Sequence, residues 1–133
     1  MDPALKVAVS LLRFGLAAIF FWLGAVKLMG DGPLVETLKQ SIPLLASKPY
    51  LQLLGLAEIV IAVGLMVDKL SRAAAATIMI NLVLITCILI GAPALVFADD
   101  TRQLTGQGAY LLNHLLFGLA GLLMLGRRRR AER

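Results

Sequence analysis

Apolar residues run almost unbroken through Val7 to Met29, Leu51 to Val67, Ala73 to Ile90 and Tyr110 to Leu125. Each run approaches the roughly 20 residues that a helix needs to cross a hydrocarbon layer about 30 Å thick. The pattern predicts four transmembrane helices over about 7–29, 51–67, 72–90 and 108–125, the second and fourth at the short end. Between the first two, Asp31-Gly32-Pro33 reads as a helix start, with Pro33 pre-set for an early helical position and Glu36 in the first turn. Leu34, Leu38, Ile42 and Leu45 then recur at helical spacing opposite Glu36 and Lys39, and Pro43 is expected to break or kink the helix. The loop 30–50 should therefore carry a short amphipathic helix that lies on the membrane surface or caps the bundle, with a loop holding a few buried leucines as the alternative. The stretch from Gly91 to Gly108, with Pro93, Asp99, Asp100, Gln103 and several glycines, reads as an irregular connection. The fold expected is all-α: a transmembrane antiparallel four-helix bundle, one membrane domain spanning residues 1–133.

Composition agrees with a bilayer as solvent. Hydrophobic residues make up 59% of the chain and the mean hydropathy is +0.87, too apolar for a soluble domain of this length. The first run could pass for a secretory signal, but it exceeds the length of an h-region, carries Arg13 and Lys27, and has no small-x-small cleavage site before Asp31. It reads as a retained helix. The single cysteine, Cys87, lies deep in the third span and reads as a small buried apolar residue. It gives no intramolecular disulfide.

The net charge of +5 matters less than its distribution. One side of the bundle carries nine basic residues (Lys6, Arg13, Lys69, Arg72, Arg127, Arg128, Arg129, Arg130 and Arg133), and the other four (Lys27, Lys39, Lys48 and Arg102). The bias predicts cytoplasmic N and C termini. The arginine run then acts as a topology anchor in contact with anionic headgroups, and nucleic acid is not an expected partner.

Glu58 stands out because its span is otherwise apolar apart from Gln52 and glycines. A carboxylate within lipid is expensive and must face a partner, a cavity or a ligand. Counting from Leu51, it lies about 10 Å below the outer surface at ~1.5 Å per residue. Asn113 and His114 reach the same depth from the start of the fourth span, and Asn81 lies near the bilayer centre on the third. Lys27, near the outer end of the first helix, shares a stripe with Lys6, Arg13 and Gly24, where glycine lets a second helix approach closely. Snorkelling to the headgroups is the alternative for both Lys27 and Arg13. Glu58, His114, Asn113, Lys27 and Asn81 are thus candidates for one polar pocket, with Tyr110 and Trp22 as its walls. The structural alternative is that Glu58 pairs with Lys27 or Arg13 while Asn81 and His114 hold helices together.

One His, one Glu and a distant Cys supply no metal-ligand spacing, and no CxxC, haem-attachment motif or phosphate loop is present. No intrinsic cofactor is expected. The repeated string Phe14-Gly15-Leu16-Ala17 and Phe117-Gly118-Leu119-Ala120 is read as coincidence, because its flanks do not align over a full span.

Phe21-Trp22-Leu23-Gly24-Ala25-Val26-Lys27-Leu28, Ile42-Pro43 in the outer loop, and Gly55-Leu56-Ala57-Glu58-Ile59-Val60 followed by Gly64-Leu65-Met66 resemble the DoxX-like superfamily of small four-span membrane proteins. Its members share a G-x-x-K at the end of the first helix and a Glu early in the second. Leu104-Thr105-Gly106-Gln107-Gly108-Ala109-Tyr110-Leu111-Leu112-Asn113-His114-Leu115 is similar to the "G-R-Y/F-L-L-K-D-L" opening of the family's fourth helix, especially in its uncharacterised branch. Asn113-His114 replaces the usual Lys-Asp and alters any charge pairing there. The resemblance implies a bacterial cytoplasmic (inner) membrane location. In some branches it also implies association with quinone-linked oxidation of sulfur compounds or with oxidative-stress complexes.

The leading expectation is a redox-associated membrane subunit that holds a quinone or another small lipophilic ligand between its helices, working with a membrane or soluble redox partner protein. Glu58 and His114 would be proton or hydrogen-bond partners of the ligand, and Lys27 the charge partner of Glu58. A proton-coupled transporter and a non-catalytic scaffold or assembly subunit stay open beside it, as do homo-oligomerisation and whether the chain is an enzyme at all.

Overall fold

The computed structural model describes residues 2–99 and 103–131, and nearly all of them are helical. Helix α1 spans Pro3–Leu28, α2 Pro33–Ser41, α3 Lys48–Met66, α4 Ser71–Gly91, α5 Pro93–Val96 and α6 Gly106–Ala131, with 3₁₀ turns at Pro43–Ala46 and Asp68–Leu70. Four of these, α1, α3, α4 and α6, are long and apolar enough to cross a membrane. They alternate in direction as an antiparallel bundle. The chain is a multi-pass membrane protein built as an all-α bundle.

Local chemistry sets where the helices begin and end. Asp2 caps α1 by accepting from the Ala4 N–H at 3.0 Å, and Pro3 fills the first turn, where no backbone N–H is needed. The other end closes with Gly30 N–H donating to Lys27 O and Asp31 N–H to Val26 O. This double closure requires a left-handed residue after the cap, which Gly30 provides at φ 80°. Helix α1 therefore stops directly after Lys27 and Leu28. Pro43 ends α2 as expected, and a single 3₁₀ turn follows.

Helix α2 caps the bundle. Leu34, Val35 and Leu38 are buried in one cluster with Leu51, Ile85, Ile88, Val96 and Leu111, while Glu36 and Gln40 stay outside, hydrogen-bonded at 2.9 Å. A second apolar cluster, nearer the Asp68–Leu70 turn, joins Leu16, Ala17, Phe20, Ile61, Ala62, Leu65, Ala74, Ile78, Met124 and Leu125. The core thus has two apolar layers, and the level between them is where Glu58, Asn81 and His114 fall.

Helices α1 and α3 meet backbone to backbone at Gly24 and Gly55. A Cβ on Gly24 would lie 2.6 Å from Gly55 O, and one on Gly55 would lie 2.7 Å from Gly24 O. Such a crossing buys van der Waals contact that larger residues would prevent.

Two expectations need correction. The connection before α6 is built rather than irregular: α5 is followed by a bridge between Phe97 and Leu104. Thr105 Oγ1 there donates to the carbonyls of Leu95 and Val96 and accepts the Gly108 N–H at 2.9 Å, which caps α6. Asp100, Arg102 and Arg133 lie outside the described residues. Helix α6 continues beyond the apolar run to Ala131, because arginines are good helix formers and extend the last turn. Cys87 is exposed on the outer face of α4 rather than buried. The apolar character of a lipid-facing helix surface does not mark which side faces the core. The two Phe-Gly-Leu-Ala strings occupy unlike settings, with open space at Gly15 and Leu82 pressed against Gly118.

Candidate functional site

Helix α1 buries Leu16, Ala17, Phe20, Gly24 and Lys27, positions that recur every three or four residues and so form one stripe. Lys27 ends that stripe beside the Gly24–Gly55 crossing, one turn of α3 away from Glu58. The close approach of the two backbones is what brings the lysine stem over α3. Lys27 is 2% exposed and Glu58 1%. The ammonium donates to Glu58 Oε1 as a buried ion pair. Snorkelling therefore does not describe Lys27, whose stem is held at the helix crossing. Of the rest of the proposed cationic stripe, Arg13 is half-buried and Lys6 exposed.

His114 approaches the same carboxylate from α6, its Nε2 3.1 Å from Glu58 Oε1. Its ring packs edge-on against Phe20, with centroids 5.7 Å apart at 78°, and tilted against Tyr110 at 5.6 Å. Asn81 of α4 completes the group, its side-chain amide 3.1 Å from the same His114 Nε2. Four helices thus contribute one polar residue each.

The shared nitrogen decides the protonation pattern. Glu58 Oε1 already accepts from the Lys27 ammonium, so it is the acceptor towards His114, and Nε2 must carry the hydrogen. A protonated Nε2 cannot also accept from the Asn81 amide. The consistent assignment turns Asn81 so that Oδ1 faces Nε2 and the NH₂ group points away. In the neutral ring Nδ1 is then a bare acceptor.

Among the described residues, three buried side-chain atoms have no hydrogen-bond partner, and all three belong to this group: Glu58 Oε2, His114 Nδ1 and Tyr110 Oη. Each such atom costs on the order of 1–3 kcal/mol when left unmatched. Native interiors leave few of them, so their concentration around one carboxylate is the unusual feature of the molecule.

The structure brings together Lys27, Glu58, Asn81, His114 and Tyr110, and leaves two proposed members outside. Trp22 is 70% exposed, because it lies two residues from both Phe20 and Gly24, a rotation of about 200° that turns it away from the buried stripe. Asn113 is exposed as well, about 100° around α6 from the face that carries Leu111, His114 and Gly118. Depth alone placed both of them, and depth says nothing about which way a side chain points. Phe20 is the member that sequence reasoning missed. Its signal was the spacing Phe20, Gly24, Lys27 on one stripe. Trp22 emission is accordingly expected to be quenched strongly by brominated acyl chains in reconstituted bilayers, and emission insensitive to brominated lipid would refute the outward placement.

Among the described residues no grouping of three His, Cys, Asp or Glu side chains is close enough to hold a metal ion. The unpartnered atoms include both an acceptor and a donor. Glu58 Oε2 is an acceptor and the Tyr110 hydroxyl a donor, and His114 Nδ1 accepts when the ring is neutral.

The family model described as DoxX matches residues 8–92, from α1 through the end of α4. The matched stretch contains Lys27, Glu58 and Asn81, and ends before His114. No curated protein and no solved structure matches the chain.

Proposed function

The chain belongs to the DoxX family, and from that premise we propose that it is a redox-associated membrane subunit holding a quinone, or a similar small lipophile, against Glu58, His114 and Tyr110. The observation that supports this reading is the set of three unpartnered buried atoms on those residues. A bound quinone supplies the electron chemistry. The chain supplies the polar contacts and an apolar enclosure.

Each residue has a distinct part. Lys27 holds the Glu58 carboxylate in place through Oε1, which leaves Oε2 free to accept a hydroxyl hydrogen. The Nε2–H of His114 is fixed on the same Oε1, so that Nδ1 on the far side of the ring is open to take or return a proton. Tyr110 donates to a carbonyl oxygen. Phe20 and the surrounding isoleucines keep water away, which strengthens each of these contacts. Electrons reach or leave the ligand through a redox partner protein. The DoxX resemblance favours a bacterial cytoplasmic membrane, and the nine-to-four bias of basic residues favours both termini on its cytoplasmic side.

Lipid extracts of the purified protein should contain a quinone. A decyl-substituted 1,4-benzoquinone should bind the protein in lipid nanodiscs, and Glu58→Gln should weaken that binding about tenfold or more, the scale of one hydrogen bond to a charged group. Absence of copurified quinone together with equal binding by wild type and Glu58→Gln overturns the reading.

A further inference from the structure

Asn81 separates two spaces of different character. With Phe20, Ile78, His114 and Gly118 it lines an interior gap too tight for a water molecule. With Leu53, Ala57, Thr77, Ile80 and Leu84 it lines a groove of about 260 Å³ between α3 and α4. Leu53 and Ile80 are 62% and 69% exposed, Leu53 in the second turn of α3 and Ile80 at mid-length of α4, both on membrane-spanning helices. The groove therefore opens sideways into the acyl chains rather than to water.

Its volume falls just under the roughly 300–1,000 Å³ of typical small-molecule sites, and its walls are almost wholly apolar. Two side chains bring polar atoms to it. The Thr77 hydroxyl is committed, donating to Ala73 O at 2.7 Å. Asn81 differs: its side chain lines both spaces, and with Oδ1 assigned to face His114 Nε2 the NH₂ is the end left for the groove. An amide NH₂ facing hydrocarbon is costly unless an acceptor meets it.

We propose that the α3–α4 groove is the lateral entrance for a lipophile with a carbonyl-type acceptor and the seat of its hydrocarbon tail, the Asn81 amide hydrogens being the first polar contact that its oxygen meets. The inference rests on the quinone reading of the buried group and adds the route and the first polar contact. Leu53, Ala57, Ile80 and Leu84 hold the ligand by apolar contact. Asn81 selects for the oxygen. The same bond keeps Oδ1 on His114 Nε2, so occupancy of the groove favours the tautomer with its hydrogen on Nε2, shared between Asn81 Oδ1 and Glu58 Oε1. Asn81 is thereby both a ligand contact and a positioning residue for His114.

The test uses the full chain in lipid nanodiscs with two probes, decyl-1,4-benzoquinone and decylbenzene, which share a tail and differ in the carbonyls. Ala57→Trp, which fills the groove, should weaken binding of both at least tenfold. Asn81→Leu should weaken only the benzoquinone. The infrared carbonyl band of the bound benzoquinone should lie at lower frequency than in lipid alone, and that shift should vanish in Asn81→Leu. If Ala57→Trp does not fold, Ile80→Trp at the exposed mouth of the groove serves in its place. Wild-type binding by the tryptophan variant, alongside a loss in Glu58→Gln, overturns the groove and leaves the quinone reading standing. Wild-type binding by Ala57→Trp, Asn81→Leu and Glu58→Gln alike overturns both. Equal loss of the two probes in Asn81→Leu removes the carbonyl specificity and overturns the proposal.

Discussion

Lys27→Met is expected to destabilise the protein by about 3–5 kcal/mol, the range found when one partner of a buried ion pair is removed and the other stays behind. The cost arises because Glu58 is 1% exposed and sits mid-helix on a short side chain, with no route to the headgroups. Lys27 has the opposite geometry. It lies in the last turn of α1 on a long flexible stem, so in Glu58→Gln its ammonium can swing outward and the loss should be smaller. Combining Lys27→Met with Glu58→Gln should recover most of the stability lost in Lys27→Met alone, since the double variant contains neither buried charge. Reversible unfolding of the four proteins in mixed micelles gives the coupling energy directly. Additive losses, with no recovery in the double variant, would show that the pair contributes nothing as a pair.

The same cycle bears on function. A purely structural ion pair loses nothing further when both partners become neutral and isosteric, so the double variant should then bind ligand as wild type does. A carboxylate that receives a ligand through Oε2 cannot be replaced in that way. Restored stability with weakened benzoquinone binding is the signature expected of Glu58, and it separates holding the fold from holding a ligand.

The one-dimensional features of the molecule were legible in the sequence. Four long apolar runs separated by prolines, glycines and charges can satisfy their backbone groups in lipid only as helices, so the number and order of spans followed directly. Depth along each helix was legible too, because 1.5 Å per residue is a fixed rise; it brought Glu58 and His114 to one level, with Asn81 near the bilayer centre. The direction of each side chain around its helix was less legible. In a membrane bundle both the lipid-facing and the core-facing sides are apolar, so the contrast that reveals a buried face in a soluble helix is absent. Trp22, Asn113 and Cys87 were misplaced for that reason. Small and polar residues still carried a signal: Gly24 and Lys27, spaced three apart, marked the face of α1 that meets α3, and Phe20 lay on it. The built turn around Thr105 was missed because it depends on a threonine reaching back to carbonyls nine and ten residues earlier, beyond any local pattern.

Gly55→Leu is expected to damage the protein severely while leaving every polar residue in place. A Cβ at position 55 would lie 2.7 Å from Gly24 O, 3.0 Å from Leu28 N and 3.1 Å from Lys27 Cβ. The first two are backbone atoms and cannot rotate aside, so α1 and α3 must separate. Overpacking of this kind costs about 1–3 kcal/mol or more in a close-packed interior. The separation also withdraws Lys27 from Glu58, because the lysine reaches its partner only across that crossing. In the Gly55→Leu background, the Lys27–Glu58 coupling energy should therefore fall towards zero, a result that a general loss of packing would not produce. Gly15→Ala is the matched control: no atom lies within 4 Å of the added methyl, and alanine is the better helix former by roughly 1 kcal/mol, so its stability should stay level or rise. Unchanged melting and undiminished coupling in Gly55→Leu would mean that the helices do not cross at Gly24 and Gly55, and that another contact holds the buried pair.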